Sequence, residues 1–275
     1  MESNYLKTSQ CYNKMLRSRI IPCLLVHKKG LVKTVKFSVE DGKYIGDPIN
    51  AVKIFNEKRV DEIMVIDIDA TVQGLCPDYQ MIKDVATECR MPLCYGGGVT
   101  TVEQVCKIIN LGAEKVAISS AALSNPDLLR QMSDVVGAQS IVLVLDIAKK
   151  KSLFGGSDYE IFTHNGKHKT GKKLYEFLKE IQNIPFGEIV INNIDLDGMM
   201  TGYDLEMCNM IRDLTDLPLT FLGGAGSYDD LKKLVDRFNV IGAAAGSIFV
   251  FKGKYKAVLI QYPMEYEKAL IQPLI

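Results

Sequence analysis

The sequence predicts a (β/α)8 barrel, an α/β fold in which eight parallel strands alternate with eight helices. Short apolar, β-branched runs recur eight times along the 275 residues, with helix-like patterns between them. Strands that are apolar on both faces are typical of parallel sheets covered by helices. Eight strand–helix units favour closure into a barrel over an open doubly wound sheet. The open sheet is the alternative, but the G-x-G-x-x-G turn expected after its first strand is missing.

The predicted strands are the eight apolar runs: Ile20–Val26, Ile63–Ile68, Pro92–Tyr95, Lys115–Ser119, Ser140–Asp146, Glu188–Asn192, Pro218–Leu222 and Val240–Ala245. Several helix starts are also readable. Asp47 and Asn125 each precede a proline, which suits an N-cap followed by the first helical position. Ser227 and Thr100 each precede a capping box or an acidic first turn.

The two halves of the chain repeat each other. Asp67-Ile-Asp69-Ala matches Asp195-Leu-Asp197-Gly, 128 residues later, and the glycine run around Gly97 matches the one around Gly224, 127 residues later. Two motif pairs at nearly the same separation predict a duplicated half-barrel.

Composition limits the possible partners. Lys plus Arg equals Asp plus Glu at 33 each, so no net field favours nucleic acid or an anionic membrane. We expect neither partner. Seven cysteines without a CxxC pair indicate reduced thiols, and with no signal peptide or long apolar segment we expect a cytoplasmic protein. Residues 1–14 read as a polar extension and residues 15–275 as a single barrel.

Glycine-rich turns follow two of the predicted strands and predict phosphate sites. The candidate residues are Gly97 and Gly98 with Ser119 and Ser120 in the first half, and Gly223 and Gly224 with Gly246 and Ser247 in the second. Glycines let backbone N–H groups approach a phosphate closely, a following helix N-terminus adds positive potential, and serine hydroxyls can donate hydrogen bonds. Two such sites at one barrel mouth suit a ligand phosphorylated at both ends.

Three aspartates at strand ends are candidates for the ligand site, because a buried carboxylate without a role is costly. They are Asp67, Asp146 and Asp197, the last followed by Gly198. Asp146, at the end of the fifth strand, is the best candidate for a general acid or base. Asp69 and Asp195 are expected to face away from the ligand and to support or cap. The position corresponding to Asp146 in the first strand holds Leu25.

A set of motifs resembles the cyclase subunit of imidazole glycerol phosphate synthase, the HisF family, from about Met15 to Phe251. The motifs are Ile20-Ile-Pro-Cys-Leu, Gly96-Gly-Gly, Gly112-Ala-Glu-Lys115-Val, Asp195-Leu-Asp-Gly, Thr201-Gly-Tyr-Asp and Gly223-Gly-Ala-Gly. The resemblance implies a barrel that receives ammonia through its core from a glutaminase (HisH-like) partner at its amino-terminal face. It also implies that the ammonia is added to a bisphosphorylated ribonucleotide, without a metal or other cofactor.

The resemblance also assigns residues. The family's two catalytic aspartates correspond to Asp146 and to Leu25, and Lys33 corresponds to a loop lysine over the substrate. A charged ring that gates the ammonia corresponds to Arg19, Glu62, Lys115 and Glu188. Leu222 and Met199-Met200 also depart from the family pattern, in which polar residues are usual.

Because an aliphatic Leu25 cannot transfer a proton, the sequence favours an ammonia-relay subunit over a working cyclase. The resemblance is greatest to HisF-like proteins of acetamidino-sugar and surface-polysaccharide synthesis. There the hydrophilic hairpin 149–170, with Phe154, is expected to dock a third, amidotransferase protein at the carboxyl-terminal face. The alternatives are a cyclase-lyase of histidine biosynthesis and a non-catalytic phosphate-binding scaffold. The three histidines, His27, His164 and His168, are interpreted as scattered, solvated loop residues rather than a metal site.

Overall fold

The computed structural model describes residues 17–150 and 158–272, and fourteen strands lie within them. These are β1 (Arg19–His27), β2 (Gly30–Val35), β3 (Ser38–Gly46), β4 (Ile63–Asp67), β5 (Leu93–Gly96), β6 (Lys115–Ile118), β7 (Ile141–Lys150), β8 (Asp158–Thr163), β9 (His168–Lys173), β10 (Glu188–Asn193), β11 (Leu219–Leu222), β12 (Gly242–Ala245), β13 (Phe251–Lys252) and β14 (Ala257–Val258). The predicted extension 1–14 and residues 151–157 of the predicted hairpin, Phe154 among them, lie outside the described residues.

Helices alternate with these strands. They are α1 (Pro48–Glu57), α2 (Ala70–Gln73), α3 (Tyr79–Glu88), α4 (Val102–Asn110), α5 (Ser120–Ser124), α6 (Asp127–Val136), α7 (Leu174–Glu180), α8 (Leu205–Arg212), α9 (Tyr228–Phe238), α10 (Ser247–Val250) and α11 (Glu265–Ile271). Short 3-10 turns at Ala138–Ser140 and Ile194–Leu196 lead into β7 and follow β10.

Eight of the strands form a closed parallel ring in the order β1, β4, β5, β6, β7, β10, β11 and β12. Each neighbouring pair is parallel, and β12 pairs back to β1, with Arg19 opposite Gly242. Because β7 also pairs in parallel with β10, no edge remains in this ring. The predicted (β/α)8 barrel is confirmed, and each of the eight predicted strands corresponds to one strand of the ring.

Alternation along the strands separates two apolar layers. Outward side chains such as Ile20 and Leu24 pack under the helices, in one cluster with Phe55, Phe177 and Phe249. The inward side chains form a second cluster, the inner column: Ile21, Cys23, Met64, Cys94, Ala117, Val142, Val190 and Ala244. The inner column fills the barrel axis.

Three of the predicted helix starts are seen, and one is wrong. The Asp47 side chain accepts a hydrogen bond from Asn50 N at 2.9 Å and so caps α1. Ser227 forms the predicted capping box, with Asp230. In the Thr100 segment, Thr101 is the N-cap of α4 and Glu103 lies in the acidic first turn. Asn125 does not cap α6: it ends α5 instead, and Pro126 occupies the N-cap position without a side-chain bond.

The two halves repeat at a separation of 126 residues between β4–β5 and β10–β11, which corrects the separations of 128 and 127 predicted from the motifs. Leu25 of β1 corresponds to Asp146 of β7. Leu25 lies opposite Ile66 and Asp146 lies opposite Asn192, so Ile66 corresponds to Asn192. Counting on from these two residues, Asp69 corresponds to Asp195. Each half also carries an antiparallel hairpin beyond its first barrel strand, β2–β3 after β1 and β8–β9 after β7.

Candidate functional site

A cavity of about 300 Å³ opens at the carboxyl-terminal ends of the barrel strands. Thirteen residues that the sequence nominated for catalysis or ligand binding line it: Lys33, Asp67, Gly97, Gly98, Ser119, Ser120, Asp146, Asp197, Gly198, Gly223, Gly224, Gly246 and Ser247. The fold therefore brings together, in one cavity, residues spread over more than two hundred positions of the chain.

The first glycine cup consists of Gly97 and Gly98 with Ser119 and Ser120. Gly97 has a φ of +124°, and a Cβ there would lie 2.4 Å from Asp67 O, so only glycine fits. The backbone is thereby free to approach a ligand. Ser119 Oγ is buried and has no hydrogen-bond partner within the described part of the chain. Because an unpaired buried hydroxyl is costly, it is a ready donor to a ligand in this cup.

The second cup consists of Gly223 and Gly224 with Gly246 and Ser247. At Gly223, with a φ of +100°, a Cβ would lie 2.6 Å from Asn193 O, the counterpart of the contact between Gly97 and Asp67. Ser247 is buried at the start of α10. The two cups thus occupy corresponding positions in the two halves of the barrel, on one shared cavity.

Lys33 and Asp197 form a buried ion pair at the cavity wall. The Nζ of Lys33 lies 2.5 Å from Asp197 Oδ1. The other carboxylate oxygen accepts hydrogen bonds from Thr34 Oγ1 at 2.7 Å and from the backbone N of Phe37 at 3.2 Å. Asp197 lies beyond the strand end, after the 3-10 turn that follows β10, rather than at the strand end as predicted. It ties the β2–β3 hairpin to the second half of the barrel.

Asp146 is the carboxylic acid of the cavity with the environment of a proton-transfer group. Burial raises its pKa to about 7, a hydrogen bond from Asn192 Nδ2 at 2.9 Å partly opposes that rise, and the charge of Asp197 adds to it. A carboxyl that titrates near neutrality can both accept and donate a proton. Leu25, at the corresponding position of β1, lines the same cavity and cannot do either.

The remaining aspartates of the motifs accept hydrogen bonds from backbone N–H groups. Asp67 Oδ1 accepts from the N of Asp69 and of Ala70, at 2.9 and 3.2 Å, and burial raises the Asp67 pKa despite these bonds. Asp69 accepts from Lys28 N at 2.7 Å, and Asp195 accepts from Lys149 N at 2.8 Å. The predicted supporting role of Asp69 and Asp195 is confirmed, because each holds the root of one hairpin, although Asp69 makes no side-chain capping bond at the start of α2.

At the opposite, amino-terminal end, four charged side chains form a closed ring. Arg19 contacts Glu62 at 2.5 Å and Glu188 at 2.7 Å, while Lys115 contacts the same two carboxylates at 3.0 and 2.8 Å. Burial would raise the pKa of Glu188, but its bonds to Arg19 and the charge of Lys115 outweigh that effect and lower it to about 2. Thr220 Oγ1 donates a further bond to Glu188. The ring is therefore fully paired.

The inner column connects the ring to the cavity. Cys23 lines the cavity floor, and burial raises its thiol pKa to about 12, with the charges of Lys33, Asp197 and Asp146 acting on it as well. Cys94, also in the column, has its pKa raised by burial first and then by the charge of Glu62 in the ring. An apolar path of small and aliphatic side chains therefore lies between the two charged ends.

Sequence reasoning missed several residues of the cavity. Asn192, the partner of Asp146, was visible only as the last residue of a predicted strand. His164 and Asn165 reach the cavity rim from the turn between β8 and β9. Two of the three histidines lie close together, since the ring centroids of His164 and His168 are 5.7 Å apart, whereas His27 pairs with Asp69. The turn between β8 and β9 folds back across the barrel mouth, and no local sequence pattern indicates this contact.

Within residues 17–150 and 158–272, no group of three or more His, Cys, Asp or Glu side chains is placed to hold a metal ion. In the same residues, no helix has the length and apolar character needed to span a membrane.

Comparison with known proteins agrees with this arrangement. The family described as "Histidine biosynthesis protein" matches residues 19–256. A Vibrio vulnificus protein provisionally named imidazole glycerol phosphate synthase subunit hisF3 is 56% identical over 255 residues, 93% of this chain and 96% of that protein. A Pseudomonas aeruginosa protein provisionally named subunit hisF2 of the same synthase is 46% identical over 249 residues, 90% and 97% of the two chains.

A relative with an unqualified name is more distant. The imidazole glycerol phosphate synthase subunit HisF of Streptococcus mutans is 34% identical over 236 residues, which is 86% of this chain and 91% of that protein. Because the family match spans the whole barrel ring and the relatives cover most of the chain, this protein belongs to the histidine biosynthesis protein family, among its HisF-type members.

Proposed function

We propose that this chain is the synthase subunit of an imidazole glycerol phosphate synthase, and that its cavity binds a bisphosphorylated ribonucleotide to which ammonia is added. One observation carries the proposal: two glycine cups, at corresponding positions in the two half-barrels, open onto a single cavity. Such a cavity suits a ligand with a phosphate at each end. The names of the relatives support the same reading.

Ammonia would enter from the amino-terminal face, supplied by a glutaminase partner docked on the ring of Arg19, Glu62, Lys115 and Glu188. An apolar inner column favours neutral ammonia, because an ammonium ion or another charged species would have to lose its hydration there. The ring's fully paired charges support a gate that opens when the partner rearranges them.

Asp146 would act as the general acid or base, since its pKa of about 7 leaves both protonation states populated near neutrality. Lys33 is held at the wall by Asp197, next to Gly246 of the second cup. An anionic ligand in that cup would find this ammonium already ordered and would gain a charge-assisted contact.

The test is a steady-state assay with ammonium salt and the bisphosphorylated ribonucleotide, with the Streptococcus mutans HisF subunit as the positive control. We expect measurable turnover, and loss of about 10²–10⁴-fold in kcat on Asp146→Asn. Ligand binding without turnover, under conditions in which the control enzyme is active, would contradict the proposal.

An ammonia-relay subunit is the second candidate, and Leu25 and Leu222 favour it. Both are aliphatic, both line the cavity, and neither can transfer a proton to a ligand. In that function the chain would pass ammonia to a third, amidotransferase protein docked at the carboxyl-terminal face, as in acetamidino-sugar synthesis. A purified complex of this chain, a glutaminase and that third protein would then aminate a sugar nucleotide. This chain with the glutaminase alone would leave the ribonucleotide unchanged. A scaffold without either activity would fail to stimulate a glutaminase.

A further inference from the structure

The β8–β9 hairpin starts in the second half of the barrel and returns over the first half. The Nδ2 of Asn165, at the hairpin turn, donates to Ile68 O at 2.9 Å, and Ile68 directly follows β4. A Cβ on Gly166 would lie 3.3 Å from the Phe37 ring of the other hairpin and 3.5 Å from Ile194. Asn165 and Gly166 are thus held against both halves, and the turn lies across the cavity mouth.

This crossing anchors the turn that carries His164 on the side of the barrel that lacks an acid. Ile68 lies two residues beyond Ile66, which is the neighbour of Leu25 in the ring. His164 directly precedes the anchored Asn165, is exposed at the rim and lines the cavity. The residue after His164 is therefore anchored on the β1–β4 side, where the repeat would place the counterpart of Asp146, and His164 itself lies at the cavity rim.

Few other side chains of the cavity are available for this role. Lys33 and Asp197 are bound to each other, and Asp67 accepts two backbone hydrogen bonds. Cys23 lies at the buried floor. His164 Nδ1 lies 2.9 Å from Thr163 Oγ1, and the tautomer that donates this bond leaves Nε2 unprotonated. Imidazole is also the side chain best suited to proton transfer near neutral pH.

We propose that His164 contacts the bound ligand on the Leu25 side and transfers a proton there, in place of the acid missing from β1. Neutral His164 takes a proton from a ligand N–H or O–H at Nε2 and becomes imidazolium. The bonding electrons stay on the ligand, and the proton returns to the ligand or its leaving group in a later step. This inference depends on the proposed function, because it assigns a residue to the same reaction.

The kinetic test compares His164→Gln with Lys169→Gln, an exposed control on the same hairpin outside the cavity lining. With ammonium salt and the bisphosphorylated ribonucleotide, we expect His164→Gln to lower kcat by about 10²–10⁴-fold. Lys169→Gln should keep wild-type kcat, and adding Leu25→Asp to His164→Gln should restore part of the lost activity. A His164→Gln enzyme with wild-type kcat overturns the inference.

A binding measurement separates this inference from the proposed function. The chain has only three histidines, so their ring signals can be assigned in an NMR spectrum from three single substitutions. Addition of the ribonucleotide should shift the His164 signals and leave in place those of His27, which is paired with Asp69 and does not line the cavity. If the wild-type chain shows no turnover, the proposed function is overturned. If the His164 signal does not shift at saturating ribonucleotide, the histidine inference is overturned.

Discussion

Leu25 of β1 and Asp146 of β7 occupy corresponding positions in the two halves of one barrel. Leu25 lies opposite Ile66 of β4, and Asp146 lies opposite Asn192 of β10, so the same place in the ring is apolar in one half and hydrogen-bonded and ionisable in the other. Both side chains reach the cavity. The two cups are duplicated, whereas the acid between them is present once.

Leu25→Asp should restore the missing carboxyl group. We expect ammonia-dependent turnover to rise, by up to about 10²-fold, the low end of what a placed acid or base contributes. A second carboxylate should also raise the pKa of Asp146 further and move the pH dependence of kcat upward. Leu25→Asn is the matched control, since it adds polarity without an ionisable group. No gain with Leu25→Asp, at unchanged ligand affinity, would mean that the reaction needs no carboxyl group at this place.

Asp146 should make the fold less stable as pH rises. Its folded pKa of about 7 lies above the ordinary value of about 3.9. Between these two values the folded state keeps the Asp146 proton that the unfolded state loses. The free energy of unfolding therefore falls as the pH rises, until Asp146 is also deprotonated in the folded state above about pH 7. Relative to Asp146→Asn, the wild-type free energy of unfolding should fall by on the order of 2 kcal/mol between about pH 5 and 8. Urea unfolding at the two pH values measures it, and a constant difference would contradict it.

Glu188→Gln should strongly destabilise the barrel at neutral pH. The substitution leaves Arg19 and Lys115 with one carboxylate between them, and breaking a buried charge network costs about 3–5 kcal/mol. Glu180→Gln is the control, because its ion pair with Lys172 is exposed and exposed pairs contribute at most about 1 kcal/mol. The measurement is the free energy of unfolding in urea.

The same ring predicts a pH dependence of opposite sign to that of Asp146. The folded pKa of Glu188, about 2, lies below the ordinary value of about 4.3. Its contribution to stability is therefore complete above about pH 4.3 and is lost as the pH falls toward 2. The stability gap between wild type and Glu188→Gln should narrow between about pH 5 and pH 3. A gap that widens on acidification would contradict this assignment.

Gly98→Ala should impair both the fold and phosphate binding. Gly98 and Gly253 have nearly equal φ values, +69° and +70°, but a Cβ on Gly98 would lie 2.5 Å from Leu75 O whereas Gly253 has nothing within 4 Å. Gly253→Ala should cost only the conformational strain, about 1–2 kcal/mol. Gly98→Ala should cost about 2–4 kcal/mol and weaken binding of inorganic phosphate measured by calorimetry. Equal effects of the two substitutions would show that the cup is not tightly packed.

Much of this architecture could be predicted from local sequence. Eight apolar runs gave eight barrel strands, and glycines before serine-containing segments gave both cups, because these features depend on neighbouring residues. The motif comparison that matches Asp67 with Asp195 is wrong by two residues. A shift of two keeps every side chain on the same face of a strand, so hydrophobic alternation cannot detect it. Only the hydrogen-bond register shows that Asp69 corresponds to Asp195.

Other features depend on contacts between distant residues. The bond from Asn165 to Ile68 joins positions 97 apart, and that between Asn192 and Asp146 joins positions 46 apart. A polar residue in a turn or at a strand end is equally compatible with solvent, and nothing local distinguishes the two. The missed helix cap is of the same kind, because Asn125 could end one helix or begin the next.

The duplicated half-barrel has a consequence for how such a protein can change. In a symmetric dimer of half-barrels encoded by one gene, every substitution would appear twice, and an acid replaced by leucine would be lost from both sides of the cavity. Here the two halves are one continuous polypeptide, so codon 25 can change while codon 146 is retained. One half can therefore diverge in chemistry while the other preserves it, with a glycine cup kept in each half.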